Sequence, residues 1–219
     1  MNPPQLICLM GMDGSGKTTL ARELVTEAER LGIHYRYVWG NAQPIFLRPL
    51  RTLAHLTVLR KTDMKKDNED YEQVKEKVAA KYGFFSRIYS RVLMVDYFIW
   101  LFLKVKVPLF LGRRIICDRY LFDVAINLYF LNKSLFPDIE RTVHSLLRYF
   151  PAPDLLFLID IPPVVAFRRK SDIPSIGFLE KRRLIYQKLS EEFNAVVLDG
   201  TSPIVDSVNE AIRLMTGVK

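Results

Sequence analysis

The sequence predicts an α/β fold, a five-stranded parallel sheet covered by helices on both faces. Three observations carry this reading. The stretch Gly11-Met12-Asp13-Gly14-Ser15-Gly16-Lys17-Thr18 fits G-x-x-x-x-G-K-[ST] and stands between an apolar run and a helical pattern, the strand–loop–helix order of a phosphate-binding loop. Short apolar runs alternate with helical patterns along the chain, and strands apolar on both sides belong to parallel sheets buried on both faces. Trp39, Asp118 and Asp160 end three of those runs, where ligands of open α/β sheets bind.

In chain order, Leu6 to Met10 is the first strand. The helix after the loop carries Leu20, Leu24, Ala28 and Leu31 at helical spacing, and Gly32 stops it. Ile33 to Trp39 is the second strand, and Gly40 to Pro44 a loop. Ile45 to Leu59 is helical in part, residues 60 to about 72 are charged and expected to be mobile, and Glu72 to Tyr82 is helical again. Phe84 to Leu103 is a long apolar helix. Asp96, Lys104, Lys106 and Pro108 interrupt the apolar stretch Val92 to Gly112, so it reads as a buried helix ending before Pro108 rather than a membrane span of about 20 apolar residues. Arg114 to Asp118 is the third strand; Leu121 to Leu131 and Ile139 to Phe150 are helical. Leu155 to Asp160 is the fourth strand, and Pro162-Pro163 opens a helix ending in Arg168-Arg169-Lys170. Phe178 to Phe193 is helical and Ala195 to Leu198 is the fifth strand. Ser202 is expected to cap a last helix through Ile204, Val208, Ala211, Ile212 and Met215.

The 219 residues suit one domain, 1–219, and no linker or internal repeat divides them. Both cysteines, Cys8 and Cys117, lie inside strand runs, which fits buried thiols in a reducing compartment. The start, Met1-Asn2-Pro3-Pro4-Gln5, lacks a signal peptide's layout, so a cytoplasmic location is expected. The net charge of +8 admits nucleic acid as a partner. The basic clusters Arg60 to Lys66, Arg168 to Lys170 and Lys181 to Arg183 lack interleaved aromatics, which favours small phosphate substrates.

The loop's chemistry follows from its residue types. Glycines let backbone N–H groups converge on phosphate oxygens, and the helix N-terminus faces the same anion. Gly11, Met12, Asp13, Gly14, Ser15, Gly16, Lys17, Thr18 and Thr19 are the candidate ATP-binding residues. Lys17 can reach the β- and γ-phosphates, and the Thr18 hydroxyl can ligate Mg²⁺. Asp118 is the candidate second metal residue or the one that orients the attacking oxygen, and Arg119 can clamp a second phosphate. A strand-end acid that caps a helix, with a surface arginine beside it, is the plainer alternative for that pair. One of Arg168 and Arg169 is expected to reach the transferring phosphoryl group, because adjacent helical residues point about 100° apart.

These motifs resemble the thymidylate kinase family. Gly11 to Thr19 resembles its phosphate loop, with an acid directly before the second glycine. Asp118-Arg119-Tyr120 resembles its D-R-Y element. Phe178, Arg183 and Tyr186 keep its F-x(4)-R-x(2)-Y spacing, and Asp160 to Ala166 resembles its strand and lid-helix entry. The resemblance implies an ATP- and Mg²⁺-dependent nucleoside monophosphate kinase, usually a homodimer, with dTMP as acceptor. It implies that Asp13 approaches the acceptor's sugar and Arg119 its phosphate, within a substrate site of Asp13, Trp39, Arg48, Asp118, Arg119 and Tyr120. The catalytic set is then Lys17, Asp118, Arg119, Arg168 and Arg169, with a lid over about 168–180. In one family arrangement the phosphate loop carries an arginine and in the other the lid does; with Gly14 in the loop and Arg168-Arg169-Lys170 leading into the lid, this chain resembles the second. The chain departs from the family after Tyr120, where Leu121 to Leu128 replaces a serine and an Ala-Tyr-Gln stretch. It departs again after the second strand, where Trp39-Gly40-Asn41, with Arg48 and Arg51 further on, replaces Phe-Pro-x-Arg. Both departures lie on the acceptor half. A kinase for another small phosphorylated acceptor, or an ATP-binding module with a nucleic-acid partner, are the alternatives.

Overall fold

The structure is a computed structural model that describes residues 3–40, 83–131, 133, 136–170 and 173–217. Arg48, Arg51, the expected helices over 45–59 and 72–82, the charged segment 60–72, and Ser171 and Asp172 of the lid lie outside the described residues.

Five strands form one parallel sheet: β1 (Leu6–Met10), β2 (Tyr35–Trp39), β3 (Arg114–Asp118), β4 (Leu155–Asp160) and β5 (Val196–Asp199), in the order β2-β3-β1-β4-β5. The central β1 is buried at every position. Its side chains alternate between two cores. Ile7 and Leu9 face α1 (Lys17–Arg30) and α8 (Ile204–Thr216), meeting Leu20, Leu24, Val208 and Ala211. Leu6, Cys8 and Met10 face the other layer. That layer is built from α2 (Gly83–Leu101), α4 (Leu121–Leu131), α5 (Ile139–Leu147) and α7 (Ile176–Glu192). Each alternate β1 residue thus loses its surface to a different helical layer, the pattern a doubly covered sheet requires. The short α6 (Pro163–Arg169) follows β4 with Pro162 at its N-cap.

The expected helix end before Pro108 is not observed. After α2 the chain passes through a π-helical turn, Phe102–Lys106, and continues as α3 (Val107–Phe110). Proline lacks an N–H and its ring crowds the carbonyl four residues back. The wider turn, in which the Val107 N–H bonds to the Phe102 carbonyl, accommodates both. Nor is this stretch wholly buried: Tyr97, Leu101 and Val105 enter the core, but Val95, Ile99, Phe102 and Leu103 are exposed. Ser202 does not cap α8. Its hydroxyl donates to Asp199 at 3.0 Å, and Pro203 holds the cap position without a side-chain bond. Leu31 leaves its expected stripe and stands exposed at the end of α1.

Candidate active site

The loop after β1 lies between the ends of β3 and β4, where the chain's path through the sheet changes direction. Two of its glycines are demanded by close approach. Gly11 has φ 146° and a Cβ there would stand 2.6 Å from the Ile159 carbonyl oxygen. Gly14 has φ 83° and its Cβ would stand 2.7 Å from the Ala166 carbonyl oxygen of α6. The loop is therefore pressed against β4 and the lid helix by backbone alone.

A cavity of about 560 Å³ opens here, lined by Asp13 to Leu20, Arg119, Arg169, Lys170, Gly200 and Ser202, among others. Lys17 is buried and folds back on the loop. Its ammonium donates to the Gly11 and Met12 carbonyls at 2.7 and 2.5 Å and to Ser15 Oγ at 3.2 Å. Burial, and then the Arg119 charge, bring its pKa down to about 8 against the pull of Asp123, Asp13 and Asp118.

Thr18 donates to Asp118 Oδ2 at 2.6 Å, and the Tyr37 hydroxyl donates to the same oxygen at 3.0 Å. Burial, and then Asp118, push the Tyr37 phenol up to about 12, so it stays a donor. Asp118 is fully buried, and its Oδ1 has no hydrogen-bond partner among the described residues. A hydroxyl, a bonded carboxylate oxygen and a second buried oxygen in need of a partner make a donor set that fits Mg²⁺, which takes few protein ligands and keeps phosphate and water oxygens. Among the described residues no group of three or more His, Cys, Asp or Glu could hold a metal.

Arg119 follows with φ 72°. Its N–H donates to the Leu9 carbonyl at 3.0 Å, which ties β3's end to β1. The guanidinium pairs with Asp13 through Nη2, and with Asp123 at 3.3 Å through Nη1. Burial alone would push the Asp13 carboxyl up, but Arg119, Lys17 and Lys170 outweigh it and bring it down to about 2. For Arg119, burial opposes the charge, while Asp123, Tyr186 and Asp13 raise its pKa. Gly40, after β2, packs on this turn so closely that a Cβ would stand 1.9 Å from the Arg119 carbonyl oxygen.

The Tyr120 side chain does not line this cavity. The left-handed turn at Arg119 sends it into the core, fully buried, with its hydroxyl on the Pro151 carbonyl at 3.0 Å. Trp39 stands level with Asp118 in the β2–β3 register, half-exposed and outside the cavity wall. Of the lid pair, Arg169 lines the cavity and donates to the Gly200 carbonyl at 2.9 Å; Arg168 is exposed and does not line it. Lys170 reaches Asp13 at 3.7 Å. The other strand-end acid, Asp160, accepts from Arg183 Nε and Nη2, both at 2.8 Å, and from Gln187 at 3.3 Å. It anchors α7. Sequence reasoning missed Asp123 as part of the site. The available signal was an acid in the first turn of the helix that follows Arg119, where it can reach back to the helix start, as Asp123 does in accepting from the Tyr120 N–H.

No protein-family model matches the chain. Curated proteins do. A probable thymidylate kinase of Metallosphaera sedula is 29% identical, covering 97% of this chain and 93% of that protein. Probable thymidylate kinase 1 of Saccharolobus solfataricus is 27% identical with 96% of each covered. A thymidylate kinase of Leptospira interrogans is 25% identical, covering 99% of this chain and 96% of that protein. The likeness to these three proteins runs over nearly the full length of each, and in this chain it accompanies a phosphate loop at the switch point of a 2-3-1-4-5 sheet: the chain is similar to thymidylate kinases, which are nucleotide kinases.

Proposed function

We propose that the chain transfers the γ-phosphoryl group of ATP to dTMP, giving dTDP, in a Mg²⁺-dependent reaction. The observation that carries this reading is the meeting of two phosphate-handling sets at one loop. Lys17 and the Thr18–Asp118 pair serve the donor, and Arg119 with Asp13 serves the acceptor. Mg²⁺, when bound, neutralises charge on the donor phosphates. Lys17 leaves the loop carbonyls for the phosphate oxygens. Thr18 and Asp118 would hold the metal, and Tyr37 keeps the Asp118 carboxylate oriented. Arg119 binds the acceptor phosphate and Asp13 meets its sugar. Arg169, the lid arginine on the cavity wall, stabilises charge on the transferring group as the lid over 168–180 closes and excludes water.

The whole chain, 1–219, acts as one kinase domain in this reading, in the cytoplasm, where Cys8 and Cys117 stay free and buried. It works as a homodimer. Val92, Val95, Ile99 and Leu103 recur along one side of α2 and its extension, 41, 56, 40 and 54% exposed, an apolar stripe of the kind two helices cover. Among the described residues no helix is long and apolar enough to cross a membrane.

The test is ADP release with each of the common nucleoside monophosphates as acceptor. The expected result is turnover fastest with dTMP. Faster turnover of another monophosphate would assign that acceptor instead, which is the outcome favoured if the changed segment Leu121 to Leu128 reshapes the base pocket. ADP release that needs no acceptor, or none at all, would remove the kinase assignment.

A further inference from the structure

We propose that Asp123 is a positioning residue for the acceptor subsite, gripping Arg119 from its buried side so that Asp13, on its open side, is the partner an incoming phosphate displaces. This rests on the reading of Arg119 as the acceptor-phosphate residue.

The geometry is graded from inside to outside. The Asp123 side chain is 2% exposed, that of Arg119 12%, and that of Asp13 26%. Asp123 is fixed by three donors: Arg119 Nη1 at 3.3 Å, the Tyr186 hydroxyl at 2.7 Å and the Tyr120 N–H at 3.3 Å. Tyr186 belongs to α7 and is itself buried. The inner carboxylate is thus locked between α4 and α7. Asp13 sits on the phosphate loop, facing the cavity, with Arg119 and Lys170 as its cationic partners. A guanidinium offers a planar fork that suits carboxylate and phosphate alike. The outer half of the fork is the half a phosphate can take. Binding is then an exchange of one oxyanion for another, with the inner grip setting where the fork points. A buried acid that served only packing would not need to bond the arginine assigned to the acceptor phosphate.

The experiment compares Asp123→Asn, Arg119→Ala and the double variant, with dTMP, or whichever monophosphate the acceptor panel shows to be fastest, as probe. Acceptor KM, kcat, ATP affinity and melting temperature are read for each. Asp123→Asn should raise acceptor KM about tenfold, with a much smaller change in kcat and unchanged ATP affinity. Added to Arg119→Ala, it should raise KM no further, because it acts through that arginine. Tyr186→Phe, which keeps the ring and removes one donor to Asp123, should raise KM in the same direction by less. It carries the test, alone and with Arg119→Ala, if Asp123→Asn does not fold. The proposal is overturned if Arg119→Ala raises KM but the Asp123 or Tyr186 change leaves it unaltered, or multiplies the Arg119→Ala effect in full. If Arg119→Ala itself leaves acceptor KM unaltered, the assignment of Arg119 fails and Asp123 falls with it. A wild-type protein that turns over no monophosphate fails earlier, at the kinase reading.

Discussion

Lys17 gives its hydrogen bonds to the loop that carries it, and this has two measurable consequences. Its contact with the transferring phosphoryl group should be worth several kcal/mol in the transition state. Lys17→Ala is therefore expected to lower kcat by about 10²-fold or more while the melting curve keeps its cooperative shape. Its pKa of about 8 lies below the ordinary 10.5. The folded protein thus holds this proton less tightly than the unfolded chain, so this group's contribution to stability rises with pH between the two values. The charged form, which binds phosphate, prevails below pH 8. ATP affinity should fall about tenfold per pH unit above 8, with proton uptake on binding, both readable by titration calorimetry in buffers of different ionisation enthalpy. Asp118→Asn should lower kcat, whereas Arg119→Ala should raise acceptor KM first; a change in ATP affinity alone in the latter would contradict the roles assigned. Arg169→Ala is expected to lower kcat by about 10²-fold and Arg168→Ala to leave it nearly intact, since only Arg169 stands on the cavity wall. The loop Gly11 to Thr18 was legible because phosphate binding demands a fixed spacing along the chain, and Asp118, which the fold brings to Thr18, because it ends an apolar strand run. Asp123 and Tyr186 were not read as a pair, because their contact joins α4 to α7 across 63 positions, and nothing local marks it.

At the scale of elements, the lid helix and the phosphate loop share a backbone-to-backbone contact at Gly14 and Ala166. Gly14→Ala would force a Cβ into a carbonyl oxygen at a positive φ. It is expected to destabilise the protein by about 1–3 kcal/mol and to weaken ATP binding, measured by denaturant unfolding and nucleotide titration. The same contact leaves no room for any side chain at position 14. Strand limits were readable from sequence to within about two residues, and β4 was read at its observed bounds, Leu155 to Asp160, since a buried parallel strand leaves an unbroken apolar run. Pro108 misled because proline stops an α-helix but not one that first widens into a π turn. Ser202 misled because a cap hydroxyl must accept from a helix N–H, whereas here the hydroxyl turns back to donate to Asp199 and the cap position falls one residue later, on Pro203.

For the molecule as a whole, the apolar stripe of α2 is the surface whose partner the dimer reading supplies. Val95→Glu is expected to yield monomers in sedimentation or light-scattering measurements at concentrations where the wild type is dimeric; equal masses would remove the dimer from the reading. The fold class was legible from strand–helix alternation, yet the strand order was not, since neighbours in the sheet are distant in sequence. That order has a further consequence. Beyond the phosphate loop and Asp118, Arg169 and the turn at Gly200 line the cavity, and both hang from β4 and β5 on one side of β1. The pair proposed to handle the acceptor, Arg119 and Asp123, follows β3 on the other side, with Gly40 at the end of β2 packed against the Arg119 carbonyl. The two stretches that depart from the thymidylate kinase motifs follow β2 and β3, one after each. In the proposed reading a change of acceptor can gather in the flank of β2 and β3, yet that flank is not free to drift, because Asp118 and Tyr37 tie the metal end of the donor site to the same two strands.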